Sequence, residues 1–357
     1  AFLCGRGEER LNVDCPALEA AGYATDASSL NLPSIAIGEL VSEQLVRRRV
    51  TNVGPDAQFT ASIDPPTTID MEVTPSILSL ATGESADVEI RLTTNSTDVD
   101  TWQFGTLSWS GGDATVRTPL AIRALSFAAP PLVAGSGATG SAEVALRAGY
   151  SGSYRAVLSG LESSGQSQSD AIRSQLTSSV ADDPDDDYLF VQPTAGTPPA
   201  NVRRIPIVVP ANTRFLRVAL TNQNSSPGAD LDLYLWYCPG SGECTHDTAP
   251  SVNDESDEVI NLIPEEGKEF IAAGAYYVDV HGYDVPTDMA TFRLFVWTIG
   301  ADRGNARLTA PSSLTAGTND VLTIGWQNLE AGLHLGLITH RNENSLLDET
   351  VIEITVP

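Results

Sequence analysis

Residues Val46 to Pro66, VRRRVTNVGPDAQFTASIDPP, restrict the fold more than any other stretch of the chain. Val46, Arg48 and Val50 alternate with Arg47 and Arg49, the two-residue period of a strand whose two faces meet different surroundings. Asn52-Val53-Gly54-Pro55 interrupts the alternation. Asn and Gly tolerate positive φ, and Pro has no N–H to give to a ladder. Phe59, Ala61 and Ile63 then resume the period, and Pro65-Pro66 ends it. The same pattern of short runs and Gly/Pro turns continues through 357 residues that hold 29 Gly and 22 Pro. It predicts an all-β chain built of tandem β-sandwiches.

Four segments are expected. Residues 1–29 are too short to bury a core and read as a connector with two helical turns, AFLCGRGEERL and Pro16–Ala21. Residues 30–124 form a first sandwich. Its last two strands meet at Ser110-Gly111-Gly112-Asp113, a hairpin turn. Val88, Ile90 and Leu92 line one apolar face, and Trp102, Phe104 and Trp109 are expected as its aromatic core. Residues 125–300 form a second, larger β unit. It is entered through the Gly/Ala/Pro-rich Ala128–Gly140, which predicts movement against the first sandwich, and carries a short helix over Asp170–Val180 capped by Asp170. Residues 301–357 form a small third β unit around Trp326.

Charge excludes two classes of partner. Asp and Glu number 46 against 20 Lys and Arg, a formal net charge of −26, and Lys268 is the sole lysine. Such a field repels nucleic acid and anionic membranes. No apolar run approaches the length that spans a bilayer. The four cysteines fall into close pairs, Cys4/Cys15 and Cys238/Cys244. Three connectivities exist, and local pairing closes the smallest loops. Gly240 and Gly242 give the second loop the freedom a bridge needs. Paired cysteines suit an oxidising compartment, and neither pair has zinc spacing with histidine.

The chemistry-bearing motifs are sparse. There is no G-x-S-x-G elbow. The histidines are His246, His281, His334 and His340. His281 stands two residues from Asp279 on one strand, the nearest thing to an acid–base pair, and a locally hydrogen-bonded polar residue is the competing reading. No catalytic residue is assigned. Asp185 and Asp187 share a loop, and Asp230 and Asp232 alternate at a strand start. Oxygen-rich loops of this kind suit calcium, the one cofactor considered, and a solvated acidic face is the alternative. Tyr234, Trp236, Tyr237, Tyr276, Tyr277 and Tyr283 concentrate in the second unit. They could stack on a glycan or contact protein, and alternation sends about half of them inward.

Several of these strings resemble known modules. LNLPSIAIGEL (Leu30–Leu40), VRRRVTNVGP (Val46–Pro55) and FGTLSWSGGDATVRTPLAI (Phe104–Ile122) resemble the fibronectin type III-like domain that follows the catalytic domain of subtilisin-like serine peptidases, above all in the plant-like branch. AFLCG at residues 1–5 resembles the end of that catalytic domain. DDDYLF (Asp185–Phe190), IPIVVPANTRFLRVAL (Ile205–Leu220), DLDLYLW (Asp230–Trp236), YYVDVHGYD (Tyr276–Asp284) and FRLFVW (Phe292–Trp297) resemble the pre-peptidase C-terminal domain, a jelly roll appended to secreted bacterial peptidases. The last segment resembles the immunoglobulin-like ending of bacterial subtilases. The resemblance implies a secreted, extracellular, non-catalytic C-terminal region of a bacterial subtilase. Its partner would be the catalytic domain, in cis or after cleavage. Acidic residues of the DDDYLF-type loop hold calcium in some members of that family. The Asp, His and Ser motifs of the subtilase triad are not in this sequence. The alternative is a module that anchors a protease to insoluble extracellular protein or polysaccharide.

Overall fold

The computed structural model describes residues 27–95, 100–163, 175–182, 192–193, 197–240, 243–246, 250–265, 268–286, 289–343 and 345–357. Cys4, Cys15, Asp185, Asp187 and the expected turns of residues 1–26 lie outside them.

The chain is all-β. The first sandwich contains β1 (Ile35–Val41), β2 (Glu43–Thr51), β3 (Ala57–Asp64), β4 (Ile69–Thr74), β5 (Ile77–Leu80), β6 (Ser85–Thr94), β7 (Trp102–Gly111) and β8 (Ala114–Leu125). One sheet has the order β1-β8-β7-β3-β5 and the other β2-β6-β4. The break at Asn52 lets the chain cross between them. Asn52 is buried, and its side chain accepts from Gly54 N (2.9 Å) and donates to Pro55 O (2.9 Å) and Leu80 O (3.0 Å). Val46, Val88, Ile90 and Leu92 of one sheet meet Ile35, Leu107, Leu120 and Ile122 of the other. The β7–β8 hairpin closes at Gly111 and Ala114, with Gly112 at φ 56° in the turn. A side chain there would be strained, which is why glycine sits at this point.

The expected aromatic core needs correction. Trp109 is buried, but Trp102 is 50% and Phe104 73% exposed. Strand parity is the reason: Leu107 and Trp109 face inward, so the even-numbered rings of the same strand face out.

The next strands are β9 (Phe127–Ala128), β10 (Leu132–Ser136), β11 (Gly140–Ala148), β12 (Gly152–Ser153) and β13 (Arg155–Ser163). After them come β14 (Gln175–Ala181), β15 (Val202–Val209), β16 (Phe215–Ala219), β17 (Asp230–Cys238), β18 (Thr245–His246), β19 (Val259–Leu262), β20 (Gly274–Asp284) and β21 (Met289–Ile299). The chain closes with β22 (Ala306–Thr309), β23 (Ser313–Leu314), β24 (Asn319–Trp326), β25 (Gly332–Arg341) and β26 (Leu346–Val356).

Their pairing redraws the expected division at residue 300. β11 pairs with β24 over eight residues, β13 with β25, and β10 runs parallel to β26. Residues 127–163 and 306–356 thus share one sandwich, with sheets β10-β26-β25-β13 and β22-β24-β11-β9. Residues 175–299 are inserted into it as a sandwich of their own, with sheets β14-β21-β16-β19 and β15-β20-β17-β18. Residues 175–181 are a strand and not the end of a helix. The Gly/Ala/Pro-rich Ala128–Gly140 is not a loose entry, because it carries β10 into the β26 ladder. Its glycines make room for Trp326: a Cβ on Gly135 or Gly140 would come within 2.6 Å of that ring.

The insertion is clamped at its neck. Gly160 N donates to Ala301 O (2.8 Å), and Arg303 N donates to Gly160 O (2.9 Å). Beside them Arg303 pairs with the buried Glu162 (2.9 Å). Above the neck, Phe215, Trp297 and Ile299 of the inserted sandwich pack on Leu335 and Leu337 of β25, and Arg217 pairs with Glu353. The first sandwich meets the second through Arg147 and Glu39 (2.8 Å).

Candidate functional site

Asp232, Asp279, His281, Tyr234 and Trp236 share the outer face of the β15-β20-β17-β18 sheet. Alternation along β17 turns Leu231, Leu233 and Leu235 into the core and Asp232, Tyr234 and Trp236 outward. Antiparallel register then sets Asp232 opposite His281, Tyr234 opposite Asp279 and Trp236 opposite Tyr277. On the other side of β20, Arg204 stands opposite Asp279.

Two linked contacts result. Arg204 grips Asp279 with both ends of its fork, Nε at 2.7 Å and a terminal nitrogen at 2.6 Å. The Trp236 indole donates to the same carboxylate at 3.0 Å, and the guanidinium lies 5.7 Å from the indole centre. His281 Nδ1 sits 3.1 Å from Asp232 Oδ2. Asp279 and His281 do share a face, but each is fully buried and bonded to a different partner. Such a layer is held by charge-assisted hydrogen bonds and tolerates no missing member. The sheet edge is fixed by the Cys238–Cys244 disulfide, and Gln192 makes two 3.0 Å bonds to the Cys244 backbone.

Asp230 opens an acidic corner at the start of β17. Burial, then Asp232 and Asp254, push its carboxyl up to about 6. Burial also pushes Glu258 up, against hydrogen bonds from Ser251 and Asn253. Of the two acids expected as calcium ligands here, Asp232 is engaged by His281. Among the described residues, no group of three or more His, Cys, Asp or Glu side chains is placed to hold a metal ion. Of the six aromatic residues, Tyr237 and Tyr276 face inward with centroids 4.9 Å apart, Trp236 and Tyr277 pack on the disulfide, and Tyr283 is exposed. The exposed pair of rings is in the first sandwich instead.

Two further buried groups lie away from this face. His340 accepts from Tyr154 at Nδ1 (2.6 Å) and donates from Nε2 to Thr350 (2.8 Å). The tautomer follows because the Thr350 hydroxyl gives its own proton to Pro130 O (2.8 Å). Burial pushes the imidazole down to about 4. Arg48 lies inside the first sandwich and donates to the carbonyls of Ser28 (2.6 Å), Arg47 (2.8 Å) and Ser34 (3.0 Å). Burial pushes its guanidinium down. The Tyr154–His340 bond joins residues 186 apart in the chain, whereas strand alternation already sets Arg48 in the inward row of β2 with Val46.

Residues 29–122 match the fibronectin type III domain family. Parts of the chain are similar to plant subtilisin-like proteases. One part is 38% identical over 96 residues to subtilisin-like protease SBT3.9 of Arabidopsis thaliana, covering 26% of this chain and 13% of that protein. The chain is 29% identical over 132 residues to SBT3.16 of the same plant, covering 35% and 17%. The chain thus spans roughly an eighth to a sixth of the length of these relatives, in their C-terminal region. Among solved structures, the secreted serine protease VesC of Vibrio cholerae aligns at 10% identity over 75% of this chain and 49% of that one, with a TM-score of 0.21. No helix among the described residues is long and apolar enough to cross a membrane.

Proposed function

We propose that this chain is the non-catalytic accessory region of a secreted subtilisin-like serine protease and that its first sandwich buttresses the catalytic domain. The observation that carries the reading is the similarity of about a quarter of the chain to subtilisin-like proteases, beside a fibronectin type III match at residues 29–122, in a sequence with none of the triad motifs. Secretion and bacterial origin rest on the resemblance of residues 185–297 to a domain of secreted bacterial peptidases. The disulfide fits an oxidising compartment. The sandwiches do not hang on loose linkers, since Arg147–Glu39 and the Phe215/Trp297 cluster join them. Short connections keep an interface closed at modest affinity. The test is truncation of the parent protease after Ser29. The catalytic domain should melt at lower temperature and lose activity; unchanged values would end the buttress reading.

A second reading is anchoring to insoluble protein or polysaccharide. It is favoured by the outer face where exposed Phe104 stands opposite Ala121 and Ala121 opposite Ala36, with the Arg123 guanidinium 5.9 Å from the centre of the exposed Trp102 ring. Retention on chitin, elastin, collagen or cell wall that Trp102→Ala and Phe104→Ala abolish would support it. Calcium binding by Asp185, Asp187, Asp230 or Asp232 remains a proposal. A melting point raised by millimolar calcium but not magnesium is its readout.

A further inference from the structure

We propose that the first sandwich holds an extended peptide, as an added strand, in the groove between β2 and the opening half of β8. β1 pairs with β8 only from Leu120 to Leu125. The same backbone edge over residues 114–119 has no strand beside it among the described residues. Val116 stands opposite the buried Trp109 in register and belongs to the inward row of β8, yet it is 60% exposed. An inward apolar residue left open marks the place of an absent strand.

The groove has two ends. The wider, about 700 Å³, is floored by Val50, Phe59, Leu80 and Trp109 and edged by Asp56 and Asp113. The narrower, about 280 Å³, shares Val50, Trp109 and Val116 with it and reaches Arg48 beside Leu32 and Pro33. Arg48 is 8% exposed, its hydrogen bonds go to backbone carbonyls, and its Nε is buried without an acceptor. A buried cation with a spare donor is a seat for a carboxylate.

Three features choose the occupant. A strand edge offers N–H and C=O groups that another extended main chain matches. An apolar floor accepts side chains at alternate positions. Charge runs from acidic at Asp56 and Asp113 to basic at Arg48, so a basic residue sits at the first end and a carboxylate, of a side chain or a C terminus, at the second. The added strand therefore runs parallel to β8, along the line that β1 continues. Its five residues opposite Ala114–Thr118 span roughly 16 Å. This site does not depend on the protease reading.

The probe is a synthetic hexapeptide of alternating valine and threonine with an N-terminal lysine and a free C-terminal carboxylate. It is titrated into the full chain and read by fluorescence anisotropy. We expect saturable micromolar binding. It should weaken by about tenfold for the C-terminal amide and for the Val116→Glu chain, each a loss of one main contact, and by more for a peptide N-methylated at alternate residues, which loses several main-chain donors. Because the substitution is at an exposed side chain, its melting point should hold. Independently of any substitution, hydrogen exchange at Ala114–Thr118 should slow when the peptide is bound. Absence of binding at about millimolar peptide overturns the proposal. So does equal binding of the N-methylated peptide, which would make the groove a site for apolar matter without main-chain pairing. Concentration-dependent dimerisation abolished by Val116→Glu would give the groove to a second copy and overturn it too.

Discussion

The side chain of Asn305 bonds both ways with the backbone of Leu161: its Oδ1 accepts from Leu161 N at 3.1 Å, and its Nδ2 donates to Leu161 O at 2.9 Å. These two residues stand at the entry and exit of the inserted sandwich, and Leu161 is fully buried. Asn305→Ala strands a donor and an acceptor at once and should cost about 2 kcal/mol of stability. Asn305→Asp keeps the acceptor and loses the donor, so it should fall between. Urea unfolding of the full chain measures both; a midpoint unchanged by Asn305→Ala would mean that the clamp contributes nothing.

His340 should make the chain sensitive to mild acid. Its folded value of about 4 lies below the usual imidazole 6.5. Between those values the unfolded chain binds the proton and the folded one does not, so stability falls as pH falls through that window. The loss approaches about 3 kcal/mol at its lower end. The raised carboxyls of Asp230, Glu162 and Glu349 act with the opposite sign, losing stability as pH rises. Melting curves at stepped pH should therefore show an acid limb that His340→Gln removes. If the limb persists in that variant, another group causes it.

Asp279→Asn should be among the most damaging single changes in the inserted sandwich. It leaves the Arg204 guanidinium, whose side chain is 8% exposed, without its countercharge. Breaking one half of a buried pair costs about 3–5 kcal/mol, whereas replacing both halves by apolar groups costs much less. Arg204→Met combined with Asp279→Leu should recover most of the loss in thermal unfolding; a double variant as weak as the single one contradicts this account.

Removing the Cys238–Cys244 bridge should be milder. The bond closes a loop of sequence separation 6. For so short a loop the lost unfolded-state constraint is about 2 kcal/mol. Paired Cys→Ala substitution should lower the melting temperature while the Trp236 emission of the folded state stays in place. A melting temperature equal to the parent's would show that Gln192 and the sheet alone hold this edge.

Local rules were legible and distant partnerships were not. The Val88, Ile90, Leu92 row and the Gly112 turn follow from period and turn chemistry alone. Parity along Phe104–Trp109 also carries the orientation of the rings, which aromatic size alone does not. The insertion is different in kind. Each strand of 140–148 and 319–326 shows its own alternation, but alternation does not name a partner about 180 residues away. The Tyr154–His340 bond, across 186 residues, was hidden for the same reason. Val180, at the end of the expected helix, is buried as one position of a strand, since tertiary pairing with β21 outweighs a capping signal. In the acidic site, composition located Asp230 and Asp232, but only register shows that His281 has taken one of them.

The parallel pairing of β10 with β26 gives the outer sandwich a mechanical character. Tension between the first sandwich and Pro357 pulls β10 toward its beginning and β26 toward its end. In parallel neighbours these forces slide one strand along the other, so the rungs from Leu132↔Val351 to Ser136↔Thr355 carry the load together and do not peel apart one by one. The inserted sandwich, joined at both ends of the same neck, lies outside that line of force. The chain can be stretched between two anchored bodies while residues 175–299 stay unloaded.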